Sequence, residues 1–554
     1  MPTLVCVPIM VEAVEGALRD AAAAKVAGAD LVEFRIDHLF AGEPSGAGDS
    51  RETRDVLRLA AESPLPCVVT CRSAREGGEY DGPDDARVAL YERLGTAFGR
   101  LPDGTPEHPP RYLDAELSTW ERSANIRQKL RLAVEHPEQI RDLRTSLILS
   151  VHDLAGRPTD LSRRLAAMRA VEAARVLKVA FRCRSIRDNL ELLDLLAERD
   201  RPMIALGMGE FGLLSRVLAP KFGGFLTFAS LRPEAATAPG QPTIHELFGL
   251  YRFRTITAST QVLGVVGYPL GHSLSPMVHN AGLGAIGADA VYVPLPIVGD
   301  DSGGGSEAGY ASLKATLPEL VEHRSLGFRG ASVTIPHKEN LVRLAREQGW
   351  AIEPEADAIG AGNTIVVDRD ASGRPERVTI ANTDAPAIAV ALEPVLGSLG
   401  GARVVVVGAG GTARAAAWGL ASRGALVTVH ARRAERAAAL AESLAGSLDS
   451  GAVCAGPVPE EYDALVNCTP VGLHGGPAPD AVPVAVGALR PGAVVMDAVY
   501  RPIETPLLRA AREKGSRTID GMTMFVLQAE DQFRRFTGTP PPACLFERVA
   551  RDAG

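Results

Sequence analysis

A lysine in the middle of an apolar, β-branched run is a costly placement, and Arg175-Val176-Leu177-Lys178-Val179-Ala180-Phe181 contains one. An unpaired ammonium buried in such a strand loses its hydration, so its pKa falls, and the neutral amine becomes a nucleophile able to condense with a ketone. The plainer reading is a strand-end lysine whose stem packs while its head reaches water. Further reactive side chains stand at the ends of similar runs: Glu33 and Arg35, Arg72 then Glu76, Asp114 and Glu116, His152 and Asp153, and Arg216 after a later run. An amine, an imidazole and several guanidiniums suit carbonyl chemistry on an anionic substrate. Lys178 would hold the ketone as an iminium, His152 would move protons near neutral pH, and arginines would grip a carboxylate.

Such residues act together only if their strands converge on one mouth. Strand-like runs at 4–10, 31–37, 67–72, 112–117, 147–153, 176–181, 203–208 and 225–229 alternate with helix-like stretches. Eight units over about 250 residues is the rhythm of a (β/α)8 TIM barrel, whose active site lies at the C-terminal strand ends. Residues 243–254 read as a closing helix and 255–260 as a short polar junction, which places a first domain at 1–255.

In the second half, Arg403-Val404-Val405-Val406-Val407 runs into Gly408-Ala409-Gly410-Gly411-Thr412-Ala413 and an alanine-rich stretch. A buried strand, a glycine turn and a helix make a dinucleotide site, with the pyrophosphate over the helix N-terminus. The next strand ends Ala431-Arg432-Arg433-Ala434-Glu435-Arg436, with no acid at its tip for a ribose hydroxyl. Arginines there favour a 2′-phosphate, hence NADP(H); the plainer reading is that one or two of them cap a surface helix. Upstream lie Gly271-His272-Ser273-Leu274-Ser275-Pro276, Ser332-Val333-Thr334-Ile335-Pro336-His337-Lys338, Gly360-Ala361-Gly362-Asn363-Thr364 and Asn382-Thr383-Asp384. Singly these are helix caps, a surface charge and a turn. Together they offer donors for a polyhydroxylated carboxylate and a Lys/Asp pair for proton transfer beside a hydride. Residues 299–309, rich in Gly, Ser and Asp, read as a surface loop.

The motifs Glu33-Phe34-Arg35-Ile36-Asp37, Thr70-Cys71-Arg72, Ser150-Val151-His152-Asp153, Leu177-Lys178-Val179-Ala180 and Ala238-Pro239-Gly240-Gln241 resemble type I 3-dehydroquinate dehydratase in content and order. The resemblance implies that Lys178 forms the Schiff base, that His152 is the acid/base and Glu76 its orienter, and that Glu33, Arg35, Arg72, Arg216, Thr237 and Gln241 bind dehydroquinate. Thr237 stands where that family has serine. Residues 261–554 resemble shikimate dehydrogenase, which implies a substrate subdomain at 261–397 completed by helices at 521–554, and a Rossmann NADP-binding subdomain at 398–520. The implied shikimate contacts are Ser273, Ser275, Thr334, Asn363, Asp384, Tyr500 and Gln528, with Lys338 and Asp384 the catalytic pair. The implied cofactor contacts are Gly408, Ala409, Gly410, Gly411, Thr412, Ala431, Arg432, Arg433, Arg436, Ala498 and Gly521. The chain is therefore expected to be an α/β protein of two consecutive shikimate-pathway enzymes, whose first product is the second substrate.

Composition agrees with small-molecule partners. In 554 residues, 59 Lys+Arg against 67 Asp+Glu leave a formal charge of −8, which gives no footprint for nucleic acid or a membrane surface. The 7 cysteines are scattered without a C-x-x-C pair, so free thiols in a reducing compartment are expected, with no metal site. A strand-like run begins at residue 4 and no run spans a membrane, so a cytoplasmic protein is expected, monomeric or homodimeric. Two competing readings are a quinate-oxidising dehydrogenase with a catabolic role and a ligand-sensing regulator built from the same domains. Retention of Lys178, His152, Lys338 and Asp384 and the lack of a basic tail weigh against sensing.

Overall fold

The computed structural model describes residues 2–40, 50–100, 104, 106–136, 143–236, 240–299, 307–448 and 452–553. The chain divides into two units, Met1–Ser259 and Thr260–Gly554.

In the first unit the eight barrel strands are β1 (Leu4–Met10), β2 (Leu31–Arg35), β3 (Cys67–Thr70), β4 (Tyr112–Glu116), β5 (Ser146–Asp153), β6 (Ala174–Arg182), β7 (Met203–Met208) and β8 (Leu226–Phe228). All pair parallel in the order β8-β1-β2-β3-β4-β5-β6-β7. A hydrogen bond from the Phe225 N–H to the Met203 carbonyl, 2.8 Å, draws β7 and β8 together, so the barrel is nearly closed. Side chains alternate between its two faces. Cys6, Leu31, Val68, Tyr112, Ile148, Val176, Ile204 and Leu226 fill an apolar floor. Two residues further along five of these strands stand Glu33, Thr70, Asp114, Ser150 and Lys178, a polar layer directly above that floor.

The expected closing helix is broken. Its residues form a π turn at Glu246–Leu250 and a 3-10 turn at Phe253–Thr255, separated by Arg252 at φ 51°, a left-handed conformation that stops helical propagation. Arg216, which follows β7 in the chain, sits on the short helix Leu213–Val217.

The second unit holds two six-stranded sheets. The first comprises β9 (Gln261–Gly267), β10 (Ala290–Pro296), β11 (Phe328–Val333), β12 (Ala351–Ile352), β13 (Thr364–Arg369) and β14 (Pro375–Ala381), ordered β10-β9-β11-β13-β14-β12. The second comprises β15 (Arg403–Val407), β16 (Leu426–His430), β17 (Ala452–Ala455), β18 (Ala464–Asn467), β19 (Val494–Asp497) and β20 (Arg517–Ile519). Its order β17-β16-β15-β18-β19-β20 is the doubly wound arrangement, with the switch point between β15 and β18, where a crevice opens beyond the strand ends.

Seven helices matter for the site: α1 (Ser275–Ala285), α2 (Lys338–Gln348), α3 (Asp384–Leu396), α4 (Gly411–Ala421), α5 (Ala434–Ala445), α6 (Gly521–Thr537) and α7 (Leu545–Ala553). Helix α6 joins the two cores: Met524 packs into that of the second sheet, while Met522, Phe525 and Phe533 pack with Leu263, Val265, Tyr292 and Phe546 of α7. Of the loop expected at 299–309, residues 300–306 lie outside the described residues, and the helix Glu307–Glu322 begins at its end. All seven cysteines are free, and no helix among the described residues is long and apolar enough to cross a membrane.

Candidate active sites

At the barrel mouth Lys178 is 5% exposed, but its amine is not unpaired as expected. Asp114 Oδ2 lies 2.8 Å from Nζ and Glu33 Oε1 3.5 Å, while the Phe228 ring centroid is 4.6 Å away. A buried ammonium is tolerated when a carboxylate is buried with it. Asp114 is fully used. Its Oδ1 accepts from Ser150 Oγ at 2.6 Å and from Arg72 Nη2 at 2.8 Å. Burial alone would raise the Asp114 pKa, but Arg72 and Lys178 hold it well below the usual carboxylate range. Arg72 also meets Glu116 at 3.1 Å, and Glu116 in turn meets the buried Arg87 at 2.8 Å. Glu33 accepts from Thr70 Oγ1 at 2.7 Å.

His152 stands beside this network with its Nδ1 3.2 Å from Glu76 Oε2, and the same oxygen accepts the His152 backbone N–H at 2.9 Å. Burial, then the charges of Arg72 and Lys178, push its pKa well below 6.5, so the ring is neutral and free to accept a proton. Burial raises the Glu76 carboxyl. Arg35 is bound bidentately by Asp37, at 2.9 and 3.0 Å. Arg216 differs from the other two arginines. It is 2% exposed, donates its Nε to the Gly207 carbonyl at 3.0 Å, and burial lowers its pKa to about 10. Among the described residues no carboxylate pairs with it, which leaves a buried cation able to take a substrate carboxylate. Thr237 lies outside the described residues. Gln241 follows Gly240, whose added Cβ would fall 2.2 Å from the Gly209 carbonyl, so the loop after β8 packs on the loop after β7.

The second constellation lines a cavity of about 820 Å³ that takes in Ser273, Ser275, Thr334, Lys338, Asn363, Asp384, Tyr500 and Gln528 together with Thr412, Ala498 and Gly521. Lys338, first residue of α2, donates to Asp384 Oδ2 at 2.6 Å and to Thr412 Oγ1 at 3.0 Å. Asp384 opens α3. Its Oδ1 accepts from Asn363 Nδ2 at 2.9 Å, and its backbone N–H donates to Asn382 Oδ1 at 3.0 Å. Gln532 fixes Asn363 from behind through the Asn363 carbonyl at 3.0 Å. Burial pushes the Tyr500 hydroxyl up, so it stays a neutral donor. Gln532 stands outside every motif of the sequence, while Asn382 and Ser150 lie within motifs but carried no role of their own. Gln532 had one available signal, because it falls one helical turn after Gln528 on the same face.

The glycine turn between β15 and α4 suits a nucleotide. Gly408 has φ +123°, and Gly410 precedes α4 as a cap without a side chain, leaving amides at the helix's first turn for an anion. A Cβ on Gly410 would meet nothing within 4 Å, so the turn is open, whereas one on Gly411 would fall 2.8 Å from Lys338 Cβ. Arg432 and Arg433 follow β16 and are exposed, and Ala431 is half-buried beside them. Arg436 lies on the first turn of α5 and its charge acts on the carboxyl of Glu339. These four residues are not among those lining the cavity. Among the described residues no cluster of His, Cys, Asp and Glu could hold a metal.

Residues 5–258 match the model of type I 3-dehydroquinase, 265–365 that of the shikimate dehydrogenase substrate binding domain, and 391–455 that of shikimate/quinate 5-dehydrogenase. The chain is 34% identical over 566 residues to the chloroplastic bifunctional 3-dehydroquinate dehydratase/shikimate dehydrogenase of Arabidopsis thaliana, covering 99% of this chain and 84% of the relative. It is 39% identical over 301 residues to the NADP(+) shikimate dehydrogenase of Methanothermobacter thermautotrophicus, covering 53% of this chain and 96% of that protein. A solved shikimate 5-dehydrogenase from Thermus thermophilus, in complex with NADP(H) and shikimate, is 34% identical with a TM-score of 0.43, covering 53% of this chain and 100% of that one.

Proposed function

The chain belongs to the family of bifunctional 3-dehydroquinate dehydratase/shikimate dehydrogenases, and we propose that Lys178 and His152 carry its first reaction and Lys338 and Asp384, with NADPH, its second. One observation supports this division above the others: each half holds a lysine hydrogen-bonded to an aspartate at 2.8 or 2.6 Å, inside a polar site that could take a hydroxylated carboxylate.

In the barrel, Arg216 takes the substrate carboxylate, because Arg35 and Arg72 are already neutralised by their own acids. Lys178 condenses with the ring ketone of 3-dehydroquinate and one water leaves. The iminium acidifies the adjacent C–H, and neutral His152, held by Glu76, removes that proton. The resulting enamine expels the hydroxyl β to the original carbonyl, which departs as water with the proton returned by His152. Hydrolysis of the product iminium frees the lysine and 3-dehydroshikimate.

In the second half, Gly408–Thr412 would hold the pyrophosphate, Arg432 and Arg433 the 2′-phosphate, and Ala498 and Gly521 the nicotinamide side. The bound cofactor supplies the hydride. Ser273, Ser275 and Tyr500 hold the carboxylate of 3-dehydroshikimate, and Thr334, Asn363 and Gln528 its hydroxyls. Lys338 gives a proton to the ketone oxygen, and the hydrogen bond to Asp384 keeps its Nζ aimed.

The test is sequential. Full-length protein given 3-dehydroquinate alone should raise the ultraviolet absorbance of the conjugated enone, and NADPH added afterwards should be consumed. An enone without NADPH or NADH oxidation would reject the second half of the reading, and NADPH oxidation only with added 3-dehydroshikimate would reject the first. The preference for shikimate rests on comparing its oxidation with that of quinate, and faster quinate turnover would replace it.

A further inference from the structure

We propose that Asp114 is the counter-ion of the covalent chemistry at Lys178, the carboxylate that faces a cation at Nζ both before the imine forms and after. This assignment rests on the dehydratase reading of the barrel and names a group in direct contact with the reacting nitrogen.

The atom balance sets the requirement. An ammonium and a ketone give an iminium and one water, R–NH3⁺ + O=C → R–NH⁺=C + H2O, so the nitrogen is cationic at both ends of the condensation. The nitrogen becomes neutral when His152 takes the α-proton to form the enamine. It is cationic again once the hydroxyl has left as water. A carboxylate fixed beside Nζ therefore favours both iminium forms. Over the condensation two protons leave Nζ with the ketone oxygen as water, so the carboxylate ends each turnover with the charge it began with.

Asp114 meets that requirement and Glu33 does not to the same degree. Asp114 Oδ2 is 2.8 Å from Nζ against 3.5 Å for Glu33, and Asp114 is 0% exposed. Its other oxygen is pinned by two donors, Ser150 Oγ at 2.6 Å and Arg72 Nη2 at 2.8 Å. The pin is built into the strand order: Asp114 lies on β4, Ser150 on the adjacent β5, and Ser150 pairs in register with Lys178 on β6. Three neighbouring parallel strands thus present anion, anchor and nucleophile from one layer. Below them is the apolar floor, and the Phe228 ring flanks Nζ at 4.6 Å, so little solvent competes for the charge. An anion pinned in advance needs no reorganisation when the iminium appears.

The experiment uses the full-length chain with Asp114→Asn, which keeps the shape and removes the charge. The turnover number for 3-dehydroquinate should fall by about 100-fold or more, the effect expected of losing one preorganised electrostatic partner. Borohydride added during turnover should trap correspondingly less substrate on Lys178. NADPH oxidation with 3-dehydroshikimate should match the wild type, since that site lies in the other unit. Turnover and adduct yield equal to wild type would overturn the proposal, as would a change confined to KM. If thermal melting shows that Asp114→Asn has lost the barrel transition, Ser150→Ala decides. Freeing one side of the carboxylate should lower turnover several-fold with less adduct, and unchanged turnover would overturn the proposal. Wild-type protein that forms neither enone nor adduct would instead reject the dehydratase reading itself.

Discussion

The two lysine–aspartate pairs look alike in distance and differ in almost everything else. Lys178 stands mid-strand with its side chain 7% exposed, above an apolar floor and inside a chain of charges running Lys178, Asp114, Arg72, Glu116, Arg87. Lys338 opens a helix, with its side chain 14% exposed, on the wall of a cavity of about 820 Å³, and its second partner is the neutral Thr412 of the glycine turn. A lysine that becomes bonded to its substrate needs an enclosed site and a fixed opposite charge, because the nitrogen stays in place while its bonding changes. A lysine that only delivers a proton needs a clear path to the substrate oxygen and a partner that keeps it aimed. Enclosure against access is the difference between the two environments.

Removing each nitrogen should break one reaction only. Lys178→Ala should reduce dehydration to background while NADPH oxidation with 3-dehydroshikimate stays at the wild-type rate; loss of both activities would contradict the separation. Lys338→Ala should lower the reductase turnover by about 10²–10⁴-fold, the usual range for a lost general acid, and leave enone formation intact. Retained reductase activity in that variant would move proton delivery to another group.

Two smaller effects sharpen the contrast. Arg432→Gln combined with Arg433→Gln should raise KM for NADPH by about 10-fold or more, since charge-assisted contacts are each worth about 1.5–3 kcal/mol, and should leave KM for NADH little changed. Equal losses for the two cofactors would show that these arginines do not read the 2′-phosphate. The last effect is on stability rather than turnover and concerns His279 on α1, fully buried against Tyr292 at 4.3 Å, with neither ring nitrogen bonded and its pKa lowered by burial from 6.5 to about 3. The unfolded chain takes up a proton there that the folded chain refuses, so stability is lost as pH falls from about 6.5 towards 3. The slope is up to about 1.4 kcal/mol per pH unit. His279→Phe should flatten the fall in unfolding free energy between pH 6 and pH 4 that the wild type shows. Parallel curves for the two proteins would contradict this account of the buried imidazole.

Much of this was legible from alternation and motif. Apolar runs of the right length and spacing gave the eight barrel strands, and the glycine turn after β15 pointed to the nucleotide fold. The implied shikimate contacts, scattered from Ser273 to Gln528, line one cavity. What was not legible depends on register between strands. Asp114 and Glu116 could be placed at the mouth from their positions in a run, but which of them meets Lys178 is decided by the stagger of β4, β5 and β6. For the same reason the lysine was expected to be unpaired. The closing helix failed at a single backbone angle, that of Arg252, which residue type does not announce.

The most direct test of the contrast between the two lysines is a peptide mass map after borohydride reduction of the full-length protein during turnover of 3-dehydroquinate. One added ligand is expected, with the mass of substrate or product less one water plus two hydrogens, on the peptide carrying Lys178, and no mass change on the peptide carrying Lys338. An adduct on Lys338, or enone formation with no adduct on Lys178, would contradict that contrast.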